Sequence, residues 1–229
     1  GMEPDEVEER LETLERVHAF VKLVEEKEFP DHTLTPRYRF VHVLYQNALY
    51  GSLRTTRRTE ISASVAQALL GFYGEQRGKV ASELATLFET ARDFAKSAEC
   101  FGLAAKNAAQ IFANAEAIAL ARRGLKVLKM MAPGPDRDGQ EIALQMTLAP
   151  TLAAVKFWAA PEVGEAHRRA RDLCQQQAGN PQFFQTLIGL FTHHVVRSEL
   201  KTAQEIAKHT LHLAQDAKVL VPVLAHLAH

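Results

Sequence analysis

The sequence predicts a mainly α-helical protein, an irregular α-solenoid that follows a shorter region with one β-hairpin. The first observation behind this fold class is composition, because only 12 glycines and 9 prolines interrupt 229 residues rich in helix-forming types. The second is periodicity, since apolar residues such as Ile61, Val65 and Leu69 recur at helical spacing. The third is a segment that recurs at intervals of 46 and 40 residues, within the range of helical solenoids.

The first 41 residues combine one helix with the hairpin. Residues 3–17 predict a helix, because Pro4 suits a first helical position and Val7 and Leu11 follow at helical spacing. β-Favouring residues then occupy 20–24, residues 38–41 alternate with a period of two, and Pro30 begins a turn between them. We therefore predict a hairpin over about 19–41, with residues 19–29 paired against 37–41.

From residue 42 onward the pattern predicts helices alone. The expected helices span 42–53, 57–73, 79–91, 94–111 and 114–131, followed by two pairs, 139–158 with 161–178 and 181–197 with 199–216. Gly74 and Gly78 end the helix over 57–73, and Pro161 and Pro181 suit first helical positions. Pro150 should kink or split its helix, because proline cannot donate the helical hydrogen bond.

Three segments of the helical region align as a repeat: 121–127, 167–173 and 207–213. Each has two basic or near-basic residues, then a small residue and then apolar residues, and the small positions are Gly124, Ala170 and Thr210. A unit of this size cannot bury its own apolar face, so such units are stable only when they stack. The repeat therefore indicates helical hairpins arranged in series.

Charge and cysteine content exclude several classes of protein. Lysine plus arginine (27) equals aspartate plus glutamate (27), so no net field draws the chain towards nucleic acid or an anionic membrane. No apolar run approaches the roughly 18 residues that span a bilayer. Cys100 and Cys174 fall on apolar helical faces, which indicates free, buried thiols in a reducing compartment, and we expect a cytoplasmic protein.

One stretch resembles a known family. Residues 38–50, Tyr-Arg-Phe-Val-His-Val-Leu-Tyr-Gln-Asn-Ala-Leu-Tyr, and Arg-Arg-Thr-Glu-Ile at 57–61 resemble a passage of bacterial STAND-class signalling ATPases. In that family a nucleotide-binding domain leads into a winged-helix domain and then into an array of tetratricopeptide-like helices. The resemblance implies a winged-helix remnant with connecting helices over 3–74 and a tetratricopeptide-like array over 79–229, without the nucleotide-binding domain.

The same resemblance assigns individual positions in the first repeat of the array. Phe94, Phe101 and Ala104 match the aromatic, aromatic and small positions of a tetratricopeptide second helix. Leu84 and Phe88 match apolar positions of the first helix. The resemblance implies that these side chains pack between the two helices.

His42 matches the family's histidine that follows the wing strand and contacts the phosphates of nucleotide on the neighbouring ATPase domain. Val43 departs from the family's pattern, which often has aspartate there, and these 229 residues contain no G-x-x-x-x-G-K-[ST] motif. His42 is therefore either a vestigial nucleotide sensor or a hydrogen-bonded interface histidine. We expect no cofactor.

Other side chains that could carry chemistry favour structural roles. The histidine pairs lack cysteine or carboxylate partners at metal-ligand spacing: His193–His194, His209–His212 and His226–His229. No catalytic motif accompanies the helical carboxylates Glu116, Glu162, Glu165 and Asp172. The aromatic pairs Phe157–Trp158 and Phe183–Phe184 are predicted core residues between hairpins, with a ligand groove as the alternative. We expect no metal site and no enzyme.

These observations predict a non-catalytic protein-interaction or effector-sensing region of a bacterial signal-transduction regulator, with a partner or peptide bound in a groove of the solenoid. The alternative is a DNA-associated transcriptional regulator that uses the winged-helix segment. Against it, acidic residues crowd the helix over 3–17, and the basic cluster Arg54, Arg57 and Arg58 is short. The apolar segment 219–229 also predicts a homodimer through its uncovered face.

Overall fold

The computed structural model describes residues 4–176, 180 and 182–216. Within these residues the chain is mainly helical with one two-stranded antiparallel sheet, which confirms the predicted fold class. The helices are α1 (Pro4–Arg16), α2 (Val43–Ser52), α3 (Thr55–Tyr73), α4 (Ala81–Thr90), α5 (Phe94–Gln110), α6 (Asn114–Leu128), α7 (Pro135–Lys156), α8 (Pro161–Gln176), α9 (Phe183–Val196) and α10 (Leu200–Asp216). The strands are β1 (Val21–Glu28) and β2 (Leu34–Phe40), and Gly74–Val80 forms a 3-10 helix.

The chain divides into two compact units, and each is described separately. The first comprises Gly1–Val80 with Thr90–Arg92, and the second comprises Ala81–Glu89 with Asp93–His229, as far as these ranges are described. The first unit holds α1, the hairpin, α2 and α3. Whether it is the remnant of a winged-helix domain stays a prediction.

The predicted hairpin is present, but its second strand begins at Leu34, three residues earlier than predicted. β1 and β2 run antiparallel from the pair Val21–Phe40 to the pair Glu28–Leu34. Backbone bonds close the tip, where Phe29 N–H donates to the carbonyl of Thr33 at 2.9 Å. The turn residues therefore end β1 where the sequence places the turn.

α2 is exposed along its whole length. None of its residues is buried, and Val43, Leu44 and Leu49 present apolar side chains on its surface. An exposed helix of ten residues gains almost nothing from tertiary packing, so its end contacts and caps decide whether it forms.

The apolar stripe predicted on α3 agrees with its buried face only in part, since Leu69 is half-buried. Ser62 and Ala66 are buried, whereas Ile61 and Val65 are exposed. The buried face is displaced by one residue, about 100° around the helix axis, from the predicted stripe. Gly74 ends α3 as predicted, with a φ of 45°.

From α5 onward the second unit is a series of helices in which each packs against the next. α5 pairs with α6, α7 with α8 and α9 with α10, and further contacts join α6 to α7, α8 to α9 and α5 to α7. The helix predicted over 79–91 is preceded by the 3-10 helix and begins at Ala81. This order of contacts is typical of stacked helical hairpins.

One backbone turn recurs at three helix junctions of the chain. In each, an N–H donates to the carbonyl five residues earlier at 2.9–3.0 Å: Asp93 to Phe88, Ala113 to Ala108 and Glu199 to His194. The residue before each donor has a positive φ, and these residues are Arg92, Phe112 and Ser198. This is the hydrogen-bond pattern of a Schellman turn, which ends one helix and reverses the chain into the next.

The small positions of the repeat lie in the core of the second unit. Gly124, Ala170 and Thr210 are all buried. Of the positions matched to a tetratricopeptide repeat, Leu84, Phe88, Phe101 and Ala104 are buried and Phe94 is half-buried. Ser97 adds a buried bond, since its hydroxyl donates to the carbonyl of Ala85 at 2.8 Å and joins α5 to α4.

α7 runs unbroken through Pro150, so the predicted split of this helix is wrong. Leu148, Ala149 and Leu152 are buried around the proline. Their packing offsets the cost of an interior proline, which is about 3 kcal/mol. α7 also ends at Lys156, two residues earlier than predicted. Pro181, residues 219–229 and the pair His226–His229 lie outside the described residues, so the predictions for them stay predictions.

Candidate interaction surface

Three helix junctions lie at one end of the second unit, and we name their residues, 111–113, 155–160 and 195–200, the hairpin-tip edge. They share an end because each helix reverses the direction of the one before it, so alternate junctions lie on the same side. Direct bonds join the second and third tips. Arg197 Nη1 donates to the carbonyl of Ala159 at 3.2 Å, and His193 Nδ1 donates to the carbonyl of Trp158 at 2.7 Å.

Apolar side chains crowd this edge. Its exposed large hydrophobic residues are Ile111, Phe112, Val155, Phe157, Trp158, Val195, Val196 and Leu200. In the part of the second unit that the structure describes, Met130 is the only other exposed residue of this kind. Phe157 is 78% exposed, so the prediction that it is a core residue is wrong, because α7 ends just before it. The exposed apolar surface of this unit is therefore concentrated at one end.

Two phenylalanines on the edge combine an exposed ring with an unfavourable backbone. Phe112 is 85% exposed with a φ of 59°, and Phe157 has a φ of 66° and a ψ of 159°. A positive φ costs a non-glycine residue roughly 1–2 kcal/mol, and the region that Phe157 occupies is almost restricted to glycine. Stability alone therefore favours glycine at both positions.

Charged side chains beside the tips pair with one another. Lys156 contacts Glu162, Arg197 Nε donates to Glu199 at 2.8 Å, and His194 Nδ1 lies 2.5 Å from Oε2 of Glu199. The bonds from Arg197 and His194 lower the pKa of Glu199, and the bond from Lys156 lowers the pKa of Glu162. These ionised carboxylates balance their cationic partners, so the paired charges add little net charge to an apolar edge.

Sequence reasoning missed a pair of buried histidines between α8 and α9. His167 and His193 are 4% and 2% exposed. His193 is bonded to the carbonyl of Trp158, whereas neither ring nitrogen of His167 has a hydrogen-bond partner. The rings of His167 and Trp158 stack with centroids 6.2 Å apart. The signal in the sequence is a glycine one helical turn before each histidine, Gly164 and Gly189.

The structure places His42 at the start of α2. Its Nδ1 accepts a hydrogen bond from the backbone N–H of Leu44 at 3.1 Å, so the imidazole caps the helix. The edge of one ring faces the other between His42 and Tyr45, with centroids 6.2 Å apart. The cap gives His42 a structural role, and nucleotide sensing at this residue stays a prediction.

The other candidates from the sequence do not converge on a site. Among the described residues, no three His, Cys, Asp or Glu side chains form a group that could hold a metal ion. His209, His212, Glu116 and Glu165 are exposed, Asp172 pairs with Arg171, and Phe183 and Phe184 are half-buried. Cys100 and Cys174 are buried and neither is in a disulfide, and burial raises the pKa of the Cys174 thiol.

The basic cluster of the first unit is largely engaged within that unit. Arg57 pairs with Glu60 at 3.4 Å. Arg58 Nε donates to the carbonyl of Leu53 at 3.0 Å, and its guanidinium lies 5.3 Å from the ring centre of Tyr50. Phosphate contacts would have to compete with these interactions.

The chain was compared with protein-family models and with curated proteins. No family model matches the chain, and no curated protein matches it. None of the helices in the described residues is long and apolar enough to cross a membrane. The family relationship indicated by residues 38–61 therefore stays a prediction.

Proposed function

We propose that this chain is a non-catalytic protein-interaction region of a bacterial signal-transduction regulator and that the hairpin-tip edge is its contact surface. The observation that carries the proposal is the pair of exposed rings at positive φ, Phe112 and Phe157. The signalling context rests on the resemblance of residues 38–61 to STAND-class ATPases. The absence of a disulfide at the buried residues Cys100 and Cys174 supports a cytoplasmic location.

The composition of the edge supports a protein as the partner. Eight exposed large hydrophobic residues lie on it, and three of them are aromatic. The centre of a protein interface is apolar and enriched in aromatic residues, which matches the composition of the edge.

The chemistry of the edge defines the surface that it fits. Its charged side chains pair with one another, so a charged partner would gain little from them. An apolar protein surface, such as the hydrophobic face of an amphipathic helix, would instead cover the rings at the tips. The groove between hairpins, predicted from the sequence, is the alternative position for a bound peptide or effector.

Site-specific photo-crosslinking in the native cytoplasm tests this proposal. We would replace Phe112 and, separately, Phe157 by p-benzoylphenylalanine, which keeps an aromatic ring at each tip. Met130 supplies the matched control, because it is exposed at a different junction of the same unit. We expect the same protein to be captured from positions 112 and 157 and not from position 130.

A competition arm makes the result specific. Excess unlabelled wild-type chain should abolish capture, whereas the double variant Phe112→Ser, Phe157→Ser should compete at least tenfold less well. The proposal is wrong if positions 112 and 157 capture nothing, or if position 130 captures the same protein equally well.

The DNA-binding alternative has less support. α1 exposes Glu6, Glu8 and Glu9 on its surface, and these carboxylates repel phosphates. We expect no retardation of genomic DNA fragments in a gel-shift assay at moderate salt. Tight binding that weakens steeply as salt rises would favour the alternative instead.

A further inference from the structure

α8 and α9 interlock through two glycines and two histidines. A Cβ at Gly189 would lie 2.5 Å from Nδ1 of His167 and closer still to Nε2 and Cε1, and a Cβ at Gly164 would lie 2.5 Å from Nε2 of His193. Real Cβ atoms essentially never approach other atoms within 3.0 Å. Each helix therefore packs one imidazole against a glycine of the other helix, so the contact is reciprocal.

The two imidazoles differ in how their nitrogens are satisfied. The carbonyl of Trp158 only accepts, so His193 carries a proton on Nδ1 and donates it there. Both nitrogens of His167 are buried without a partner. A protonated His167 would hold two N–H donors and a positive charge with no acceptor, which is unfavourable away from water.

The surrounding charges do not compensate a positive charge on His167. The group whose charge acts on His167 is His193 of α9, and the groups that act on His193 are Arg168 of α8 and His194 and Arg197 at the end of α9. The carboxylates near the α7–α8 and α9–α10 junctions are bonded to other side chains, Glu162 to Lys156 and Glu199 to His194 and Arg197. A charge on His193 would repel a charge on His167, and Arg168 and Arg197 would repel a charge on His193.

We propose that the α8–α9 crossing is an acid-sensitive latch, which holds the α9–α10 hairpin against the α7–α8 hairpin at neutral pH and releases it as the pH falls. Separation of the helices would expose His167 to water, which would solvate the imidazolium. Because His193 and Arg197 also bond to the second tip, release would divide the hairpin-tip edge between its second and third tips. The latch stands on this geometry and does not depend on the proposed function.

The direction of the response follows from linkage. Burial, and to a smaller extent the charge of His193, lowers the pKa of His167 from 6.5 to about 4. Burial also lowers the pKa of His193. The open form, in which His167 titrates near 6.5, therefore takes up protons first, and closure weakens as the pH falls from 6.5 towards 4. His167 alone should raise the opening equilibrium constant about 70-fold between pH 7.5 and pH 4.5.

The first test is an NMR titration of the histidine Cε1–H resonances of the wild-type chain, which needs no variant to fold. We expect the His167 resonance to titrate below pH 5 and the exposed His209 to serve as the reference. A His167 resonance that titrates at pH 6 or above would overturn the latch, because opening would then gain nothing from protonation.

The second test measures amide hydrogen exchange at pH 7.5 and 4.5, corrected for intrinsic rates. In the wild type we expect opening of α8 and α9 to increase by at least about 70-fold, and α5 and α6 to change much less. His167→Leu should reduce the acceleration in α8 and α9 by about 70-fold, leaving only the contribution of His193, whereas the same substitution at exposed His209 should leave it intact. Equal acceleration in the wild type and His167→Leu would overturn the proposal.

Discussion

Two contacts between helices of the second unit both place side chains against glycine but differ in chemistry. At the first, Gly124 of α6 faces the side chains of Phe101 and Leu144, and a Cβ there would lie 3.0 Å from each. At the second, between α8 and α9, the residues seated on glycine are His167 and His193. Hydrocarbon side chains fill the first crossing at any pH, whereas imidazoles fill the second only while they are neutral.

The difference shows how a solenoid can be stable at one crossing and responsive at another. Burial of an apolar side chain is favourable by roughly 1.5–3 kcal/mol and does not depend on pH. Burial of an imidazole without partners is tolerated only in the neutral form. The same close helix approach therefore gives a constant contact at Gly124 and a conditional contact at His167.

The largest expected effect comes from filling the space that the imidazole occupies. Gly189→Ala should lower the free energy of unfolding by about 3 kcal/mol, because the methyl group and the ring of His167 cannot coexist. Gly124→Ala should cost about 1 kcal/mol, since flexible methyl groups of Leu144 can shift. Urea denaturation at pH 7.5 measures both, and Gly102→Ala, with its nearest neighbour at 3.8 Å, is the control.

The next effect is the pH dependence of stability. His167 has a folded pKa of about 4, below its unfolded value of 6.5, so its contribution is complete above pH 6.5 and is lost as the pH falls towards 4. Between pH 7.5 and 4.5 the wild type should lose about 2.5 kcal/mol more than His167→Leu. Denaturation of both chains at the two pH values measures this difference, and parallel losses would contradict the comparison.

A third contact in the second unit is polar, and it sharpens the comparison because its two charged side chains are hydrogen-bonded to each other. Glu141 is buried on α7 and accepts two bonds from Arg169 of α8, at 2.6 and 2.9 Å. Glu141→Gln should lower the free energy of unfolding by about 1.5 kcal/mol, since the charge-assisted pair is lost. The loss should be the same at pH 7.5 and 6.0, and the exposed Glu165→Gln should change stability by less than about 0.5 kcal/mol.

The smallest effects concern the two helix junctions at which a phenylalanine has a positive φ. Phe112→Gly and Phe157→Gly should each raise the free energy of unfolding by about 1 kcal/mol, because glycine adopts positive φ without strain. Gln110→Gly, at the end of α5, should lower it instead. Thermal denaturation measures all three, and a loss of stability in either phenylalanine variant would show that its ring stabilises the fold.

Much of the fold follows from local pattern. Pro4 and Pro161 begin their helices where the sequence places them, and the turn after Phe29 separates the two predicted strands. The buried state of Cys100 and Cys174 also follows from their helical positions. Local pattern succeeds here because capping, turns and the amphipathic period depend on neighbours within a few residues.

The candidate site could be predicted only in part. The sequence predicts a structural role for the pair His193–His194. It identifies His167 only as the first residue of the repeat segment 167–173. The predicted helix over 139–158 continues two residues beyond the observed end of α7, and Phe157 lies in that extension. The sequence therefore predicts Phe157 in the core. A single turn at the end of α7 thus decides whether an aromatic ring lies inside the stack or on its edge.

The sequence by itself determined the helical class, the hairpin and the repeat whose small positions include Gly124 and Ala170. These features depend on the spacing of residues that are close in the chain. Only the tertiary structure decided which faces meet. In the structure Ile61 is exposed and Ser62 is buried, α7 continues through Pro150, and the imidazole of His167 packs against Gly189. The physical reason is that burial depends on the position of a second helix, which the residues of the first helix do not specify.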